Sequence, residues 1–257
     1  MGPTSHLNDQ PVGVVGPVPE QVSAVLEHTE ASTIAGTGRD VVAADPGWII
    51  AVGETSVLEL TRAGVNQPML PIAAGRGLAS VPKAKAKEAV KAVLAGDATE
   101  DSRRLLTVAV DGESTTALFD VMLITAEPAQ ISEYAIQTRE TLVASFRADG
   151  VVVATPAGST GYATDVGGPT VDAGTDVGPV IPVAPFVTDA NHWVLDLSDV
   201  RIDIVREDSV NLIVDDQEWR AVTPGETVHL GLGEHVPFLL VPESQGFADG
   251  ETGLEKL

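Results

Sequence analysis

Between Asp149 and Pro169 the chain reads DGVVVATPAGSTGYATDVGGP. Val151-Val152-Val153 is an apolar β-branched run and reads as a buried strand. Thr155-Pro156 ends it, Ala157-Gly158-Ser159-Thr160 turns the chain, and a short helix is expected to follow and stop near Gly167-Gly168-Pro169. Such a turn presents unpaired backbone N–H groups and the positive end of a helix dipole, which together suit an anion. The hydroxyls of Thr155, Ser159 and Thr160 and the phenol of Tyr162 lie around it. An ordinary strand-to-helix corner has the same composition, so the turn taken by itself leaves both readings open.

The stretch resembles the TPTGSTAY segment of the NAD kinase family, with Asp149-Gly150 before it and Gly167-Gly168-Pro169 after it in register. A match of this length is specific for ancestry. Whether the chemistry accompanies it depends on the rest of the chain.

At 257 residues the chain can bury a substantial core and is expected to hold two domains. Its 44% hydrophobic content separates it from disordered polypeptides. No apolar run approaches the ~18–20 residues of a membrane span, and Met1–Gln10 lacks the features of a signal peptide. The absence of cysteine excludes disulfides and thiolate metal sites and fits a cytoplasmic protein. His6, His28, His192, His229 and His235 show no metal-ligand spacing, so no metal site is expected from the protein's own residues. A formal charge of −22 argues against nucleic-acid and anionic-membrane partners, both of which need a positive surface. That balance, with five lysines, fits a halophilic protein whose self-repulsion is screened by a salty cytoplasm.

In chain order, Pro11–Gly16 reads as a first strand and Glu20–Glu30 as an amphipathic helix burying Val22, Val25 and Leu26. Val41–Ala44 is expected as a short strand and Trp48–Val52 as another, which with the helix points to an α/β layer on a mostly parallel sheet. Val52-Gly53-Glu54-Thr55-Ser56 then leads into a helix over Val57–Arg62. Ligands of open α/β sheets bind at such strand ends. Pro68–Ile72 is a further strand, followed by the Gly75-Arg76-Gly77-Leu78 turn. Lys83–Leu94 is expected as a helix burying Ala86, Val90, Val93 and Leu94 and stopped by Gly96. It carries four of the five lysines, either as a solvated face or as a face for a polyanion.

From Leu105 the pattern turns to period-two strands. Leu105–Val110 and Thr116–Thr125 form a hairpin about Asp111-Gly112, and Ile131–Thr138 and Leu142–Ala148 continue the series. Pro179–Pro185 reads as a proline-interrupted edge strand. Trp193–Leu197, Val200–Val205, Val210–Val214, Trp219–Val222, Val228–Leu230 and Phe238–Val241 complete the strands, with Asp215–Glu218 as a polar turn.

The resemblance implies an N-terminal Rossmann-like α/β domain over residues 1–100 on the phosphate-donor side. It further implies a C-terminal β-sandwich-like, β-rich domain over 101–242 on the dinucleotide side, and it leaves an acidic tail over 243–257. A nucleotide would lie in the crevice between the domains. The implied activity is transfer of a phosphoryl group from ATP or polyphosphate to the 2′-hydroxyl of the adenosine ribose of NAD, with Mg²⁺, in a homodimer or homotetramer. Val52–Ser56 stands where the family has GGDGT, so Glu54 replaces the catalytic Asp while Gly53, Thr55 and Ser56 take phosphate-binding places, with Arg76 as a further phosphate contact. Glu54 equally suits the first turn of a helix, where the dipole favours a carboxylate. Asp149, Thr160 and Tyr162 match nucleotide contacts, and Gly161 stands where the family has Ala. Phe119-Asp120 replaces an Asn-Glu pair, so that Asp120 keeps an acceptor and Phe119 loses the amide. Two other readings accompany the kinase. One is a catalytically inactive NAD(P)- or nucleotide-binding regulatory protein; the other is a kinase for a different hydroxyl acceptor.

Overall fold

Three short runs, VGVV, WIIAV and MLPI, are buried at every position, which requires a sheet covered on both faces. The computed structural model describes residues 10–127, 130–139, 141–186, 191–206 and 209–246. The expected loose start and most of the expected acidic tail lie outside these residues. The chain forms two units: one runs up to Arg103 and resumes at His235, and the other spans Arg104–Glu234.

In the first unit, β1 (Val12–Val15), β2 (Thr33–Ala35), β3 (Trp48–Val52) and β4 (Met69–Ile72) make a parallel sheet in the order β2-β1-β3-β4. Phe238, from the last strand of the chain, pairs in parallel with Met69. Helix α1 (Glu20–His28) and α4 (Ala86–Ala95) bury Val22, Val25, Leu26, Val90 and Val93 in one cluster with Val12, Val14, Ile50 and Leu70. Helix α2 (Gly38–Ala43) packs on α3 (Glu54–Arg62), and the absent side chain of Gly13 leaves room for Val41.

Two expectations are corrected here. Val41–Ala44 is not a strand: Val41 to Ala43 close α2, and a capping box between Thr37 and Asp40 overrides the β propensity of the valines. The second strand is Thr33–Ala35 instead. The lysine helix starts with a 3₁₀ turn over Lys83–Lys85 before α4, ends on Gly96 at φ +81, and leaves Leu94 half-buried against the core.

The second unit is antiparallel. Its strands are β5 (Thr99–Val110), β6 (Glu113–Ala117), β7 (Asp120–Thr125), β8 (Ser132–Thr138), β9 (Thr141–Ala154), β10 (Val177–Pro185), β11 (Trp193–Asp196), β12 (Val200–Ile204), β13 (Val210–Val214), β14 (Gln217–Val222) and β15 (Thr227–Leu240). They follow the order β14-β13-β7-β9-β8-β12-β15, with β10 also on β9 and β5 on β15. Alternate residues such as Val200, Ile202 and Ile204 point into the core beside Leu106, Leu123, Ile136 and Leu212. Asp111 and Gly112 both take positive φ, the two-residue turn expected between β5 and β6.

The expected single strand Thr116–Thr125 breaks at Leu118-Phe119, because β6 pairs with β5 whereas β7 pairs with β9 and β13. Conversely, Leu142–Ala148 and Val151–Val153 are one strand. β8 pairs with residues 141–148 of β9 and β7 with 150–154, so β9 changes partner at Asp149-Gly150. A side chain at Gly150 would meet the Leu123 carbonyl at 2.4 Å. Val228–Leu230 and Phe238–Leu240 likewise belong to one strand, β15. β10 pairs along both sides, but β11 covers only Val177–Val180, and Pro182 and Pro185 lie where that side is open among the described residues.

Among the described residues, no helix is long and apolar enough to cross a membrane.

Candidate functional site

The parallel pairing of β1, β3 and β4 brings their carboxyl ends side by side, and each runs into a turn with glycine at positive φ: Gly16 at +92, Gly53 at +86 and Gly75 at +91. Gly16 is a packing glycine, since a Cβ there would stand 2.4 Å from the Ser56 hydroxyl and 2.5 Å from the Val52 carbonyl. Gly53 is different: a Cβ would meet nothing within 4 Å, so the space over this turn is open. Gly53 caps α3 without a side-chain hydrogen bond, and the first-turn N–H groups of that helix have no acceptor inside it.

Glu54 and Thr55 open α3 and are exposed, whereas Ser56 is buried and donates its hydroxyl to the Val52 carbonyl at 2.8 Å. A Glu54 carboxylate oxygen comes within 4.0 Å of the Cβ position of Gly75, so the β3 and β4 turns meet around it. Arg76 is exposed on the second turn. Beneath that turn, buried Arg103 donates to the Gly77 carbonyl at 3.1 Å and pairs with Asp101. This buried arginine gave no signal in the sequence, where the strand series is read only from Leu105.

In the second unit the 155–162 turn is built from the inside. Thr155 donates its hydroxyl to the Leu118 carbonyl at 2.7 Å and its N–H to the Phe119 carbonyl at 2.8 Å. The Ser159 hydroxyl donates to the Pro156 carbonyl at 2.7 Å and accepts the Val171 N–H at 2.9 Å. Both side chains are fully buried, so these two hydroxyls hold the turn together. Gly158 packs on the Phe119 carbonyl, and a 3₁₀ turn over Gly158–Thr160 passes into the single helical turn α5 (Tyr162–Asp165). Thr160 is half-buried; Gly161 and Tyr162 are exposed.

The structure therefore brings Phe119, Asp120, Thr160, Gly161 and Tyr162 to one place. Asp149 stands apart. Asp120 pairs with Ala154, and Asp149 lies five residues back along β9, about 17 Å at strand rise. Its charge and burial together push the Tyr134 phenol far above its ordinary value, burial being the larger cause. One residue at this site escaped the sequence reading. Asp215, read as part of a polar turn, accepts the N–H groups of Leu118, Phe119 and Asp120 at 3.1, 2.7 and 3.3 Å.

Residues 118–241, starting at this bend, match the family model for the ATP-NAD kinase C-terminal domain. The NAD kinase of Methanothermobacter thermautotrophicus is 30% identical over 71% of this chain and 66% of its own length. That of Methanosarcina acetivorans is 32% identical over 71% of this chain and 68% of its own length. The chain thus spans about two thirds of the length of the curated relatives it matches. A yeast NADH kinase crystallised with NADH shares the fold with a TM-score of 0.76 at 20% identity, covering 96% of this chain and 87% of that one. An NAD kinase from Archaeoglobus fulgidus in complex with ATP gives 0.73 at 22% identity, covering 91% and 94%. With a relative 32% identical over more than two thirds of its length, this chain belongs to the NAD kinase family.

Proposed function

We propose that the protein phosphorylates the adenosine ribose 2′-hydroxyl of NAD to give NADP, with ATP or polyphosphate as donor. The observation that carries this reading is the ledge at Phe119-Asp120 packed on the Thr155–Tyr162 turn, where the matched family domain begins. The second unit, through Asp120, Thr160, Gly161 and Tyr162, takes the dinucleotide, with Asp149 as a further contact. The first unit takes the donor phosphates, through the open turn at Gly53, the N–H groups of Thr55 and Ser56, and Arg76.

Glu54 accepts the proton of the 2′-hydroxyl as its oxygen bonds to phosphorus and the donor's bridging P–O bond breaks. Such transfer rests chiefly on positioning and charge neutralisation. Among the described residues no group of three His, Asp or Glu side chains could cage a metal ion. The exposed carboxylate of Glu54 beside an open turn fits an Mg²⁺ carried mainly by nucleotide phosphates and touched by one protein ligand. Bound there, the ion would neutralise the phosphate charge. The proposal extends to a cytoplasmic homodimer or homotetramer.

The test is NADP formation from NAD with ATP or polyphosphate and Mg²⁺ in molar KCl. Turnover is expected, and Glu54→Ala is expected to lower it by at least ~100-fold. Turnover indifferent to Glu54→Ala would refute its assigned role. A second reading, binding of the dinucleotide without transfer, is favoured by one observation. Thr55 places a side chain at the second position of α3, where the family loop has only backbone. Tight NAD binding without NADP formation would select it.

A further inference from the structure

All backbone polar groups of Leu118, Phe119 and Asp120 are held by residues distant in sequence. The three N–H groups go to the Asp215 carboxylate. The Leu118 carbonyl accepts the Thr155 hydroxyl, the Phe119 carbonyl accepts the Thr155 N–H, and the Asp120 carbonyl accepts the Asp215 N–H at 2.9 Å. With no backbone group left to pair elsewhere, the segment has little freedom to rotate, and a ligand meets only its side chains.

Asp215 makes these bonds from within a tight turn. It is the first of the two residues joining β13 to β14, and its φ is +55. Aspartate is among the residues that take positive φ at that place, as Asp111 does at +50 in the β5–β6 turn, and from there the Asp215 carboxylate reaches the bend. We infer that Asp215 is a positioning residue for the dinucleotide: it holds Phe119 and Asp120 ready, so that binding need not order them. The identity of the ligand rests on the function proposed above; the clamp does not.

Asp215→Gly tests this most sharply, since it removes the carboxylate while leaving the turn a residue that takes positive φ readily. In the full chain, NAD affinity measured by calorimetry is expected to fall about tenfold or more, as for other supporting partners one step behind a ligand, and by more than any loss of folded protein accounts for. Asp215→Asn keeps one acceptor oxygen and is expected to lie between the two. Amide exchange at Leu118, Phe119 and Asp120 should accelerate in both variants. NAD affinity equal to the parent's, or lost only in step with the folded fraction, would overturn the inference, as would unchanged exchange at these amides. A parent protein that binds neither NAD nor NADP would defeat the dinucleotide reading alone, because the exchange measurement still decides whether Asp215 holds the bend.

Discussion

Gly158 leaves no room for a methyl group: a Cβ would sit 1.9 Å from the Phe119 carbonyl oxygen and 2.4 Å from its carbon. Both are backbone atoms held by Thr155 and Asp215, so neither can move aside cheaply. Gly158→Ala is therefore expected to destabilise the protein by about 3 kcal/mol, at the upper end of overpacking costs. Urea unfolding checks it, and an unchanged midpoint would contradict the packing. The sequence made this turn legible but not the tasks of its hydroxyls. A serine or threonine beside a turn serves a ligand or the backbone equally well, and only the fold reveals that Thr155 and Ser159 face inward.

Among the elements, α1, β3, α3 and α4 were readable because their apolar spacing agrees with what they bury. Helix α2 was misread because Val41-Val42 speaks for a strand while the Thr37–Asp40 capping box, which settles the matter, lies just before it. The break between β6 and β7 was hidden for another reason. Asp215 imposes it from 95–97 residues away, and local periodicity carries no trace of so distant a partner. The pairing of β8 with β9 yields a prediction of its own. Tyr134 on β8 reaches the Asp149 carbonyl on β9 at 3.4 Å, and its phenol is raised above the ordinary 10.0 by burial and then by the Asp149 charge. The unfolded chain releases that proton near pH 10 and the folded chain retains it, so this contribution is complete below about pH 10 and declines as pH rises further. Denaturant midpoints measured up to pH 11 should fall, and Tyr134→Phe should flatten that slope. An equally steep decline in the variant would exclude Tyr134 as its source.

Over the whole molecule, charge dominates the solution behaviour. At −22 the acidic groups repel one another across a surface whose arginines are largely engaged, Arg104, Arg139, Arg201, Arg206 and Arg220 each pairing with an Asp or Glu. Raising KCl from ~0.1 to ~1 M shortens the screening length from about 10 to 3 Å, so the melting temperature should climb with salt. A melting curve indifferent to KCl would remove the halophilic reading.

The chain leaves the first unit at Arg103 and returns at His235, by way of β5 and β15, which pair with each other. At the return, the Ser102 hydroxyl lies 3.1 Å from the His235 ring. The second unit is in effect a cassette spliced into a continuous host. Its two junctions lie on adjacent strands, so recombination could exchange it whole between relatives.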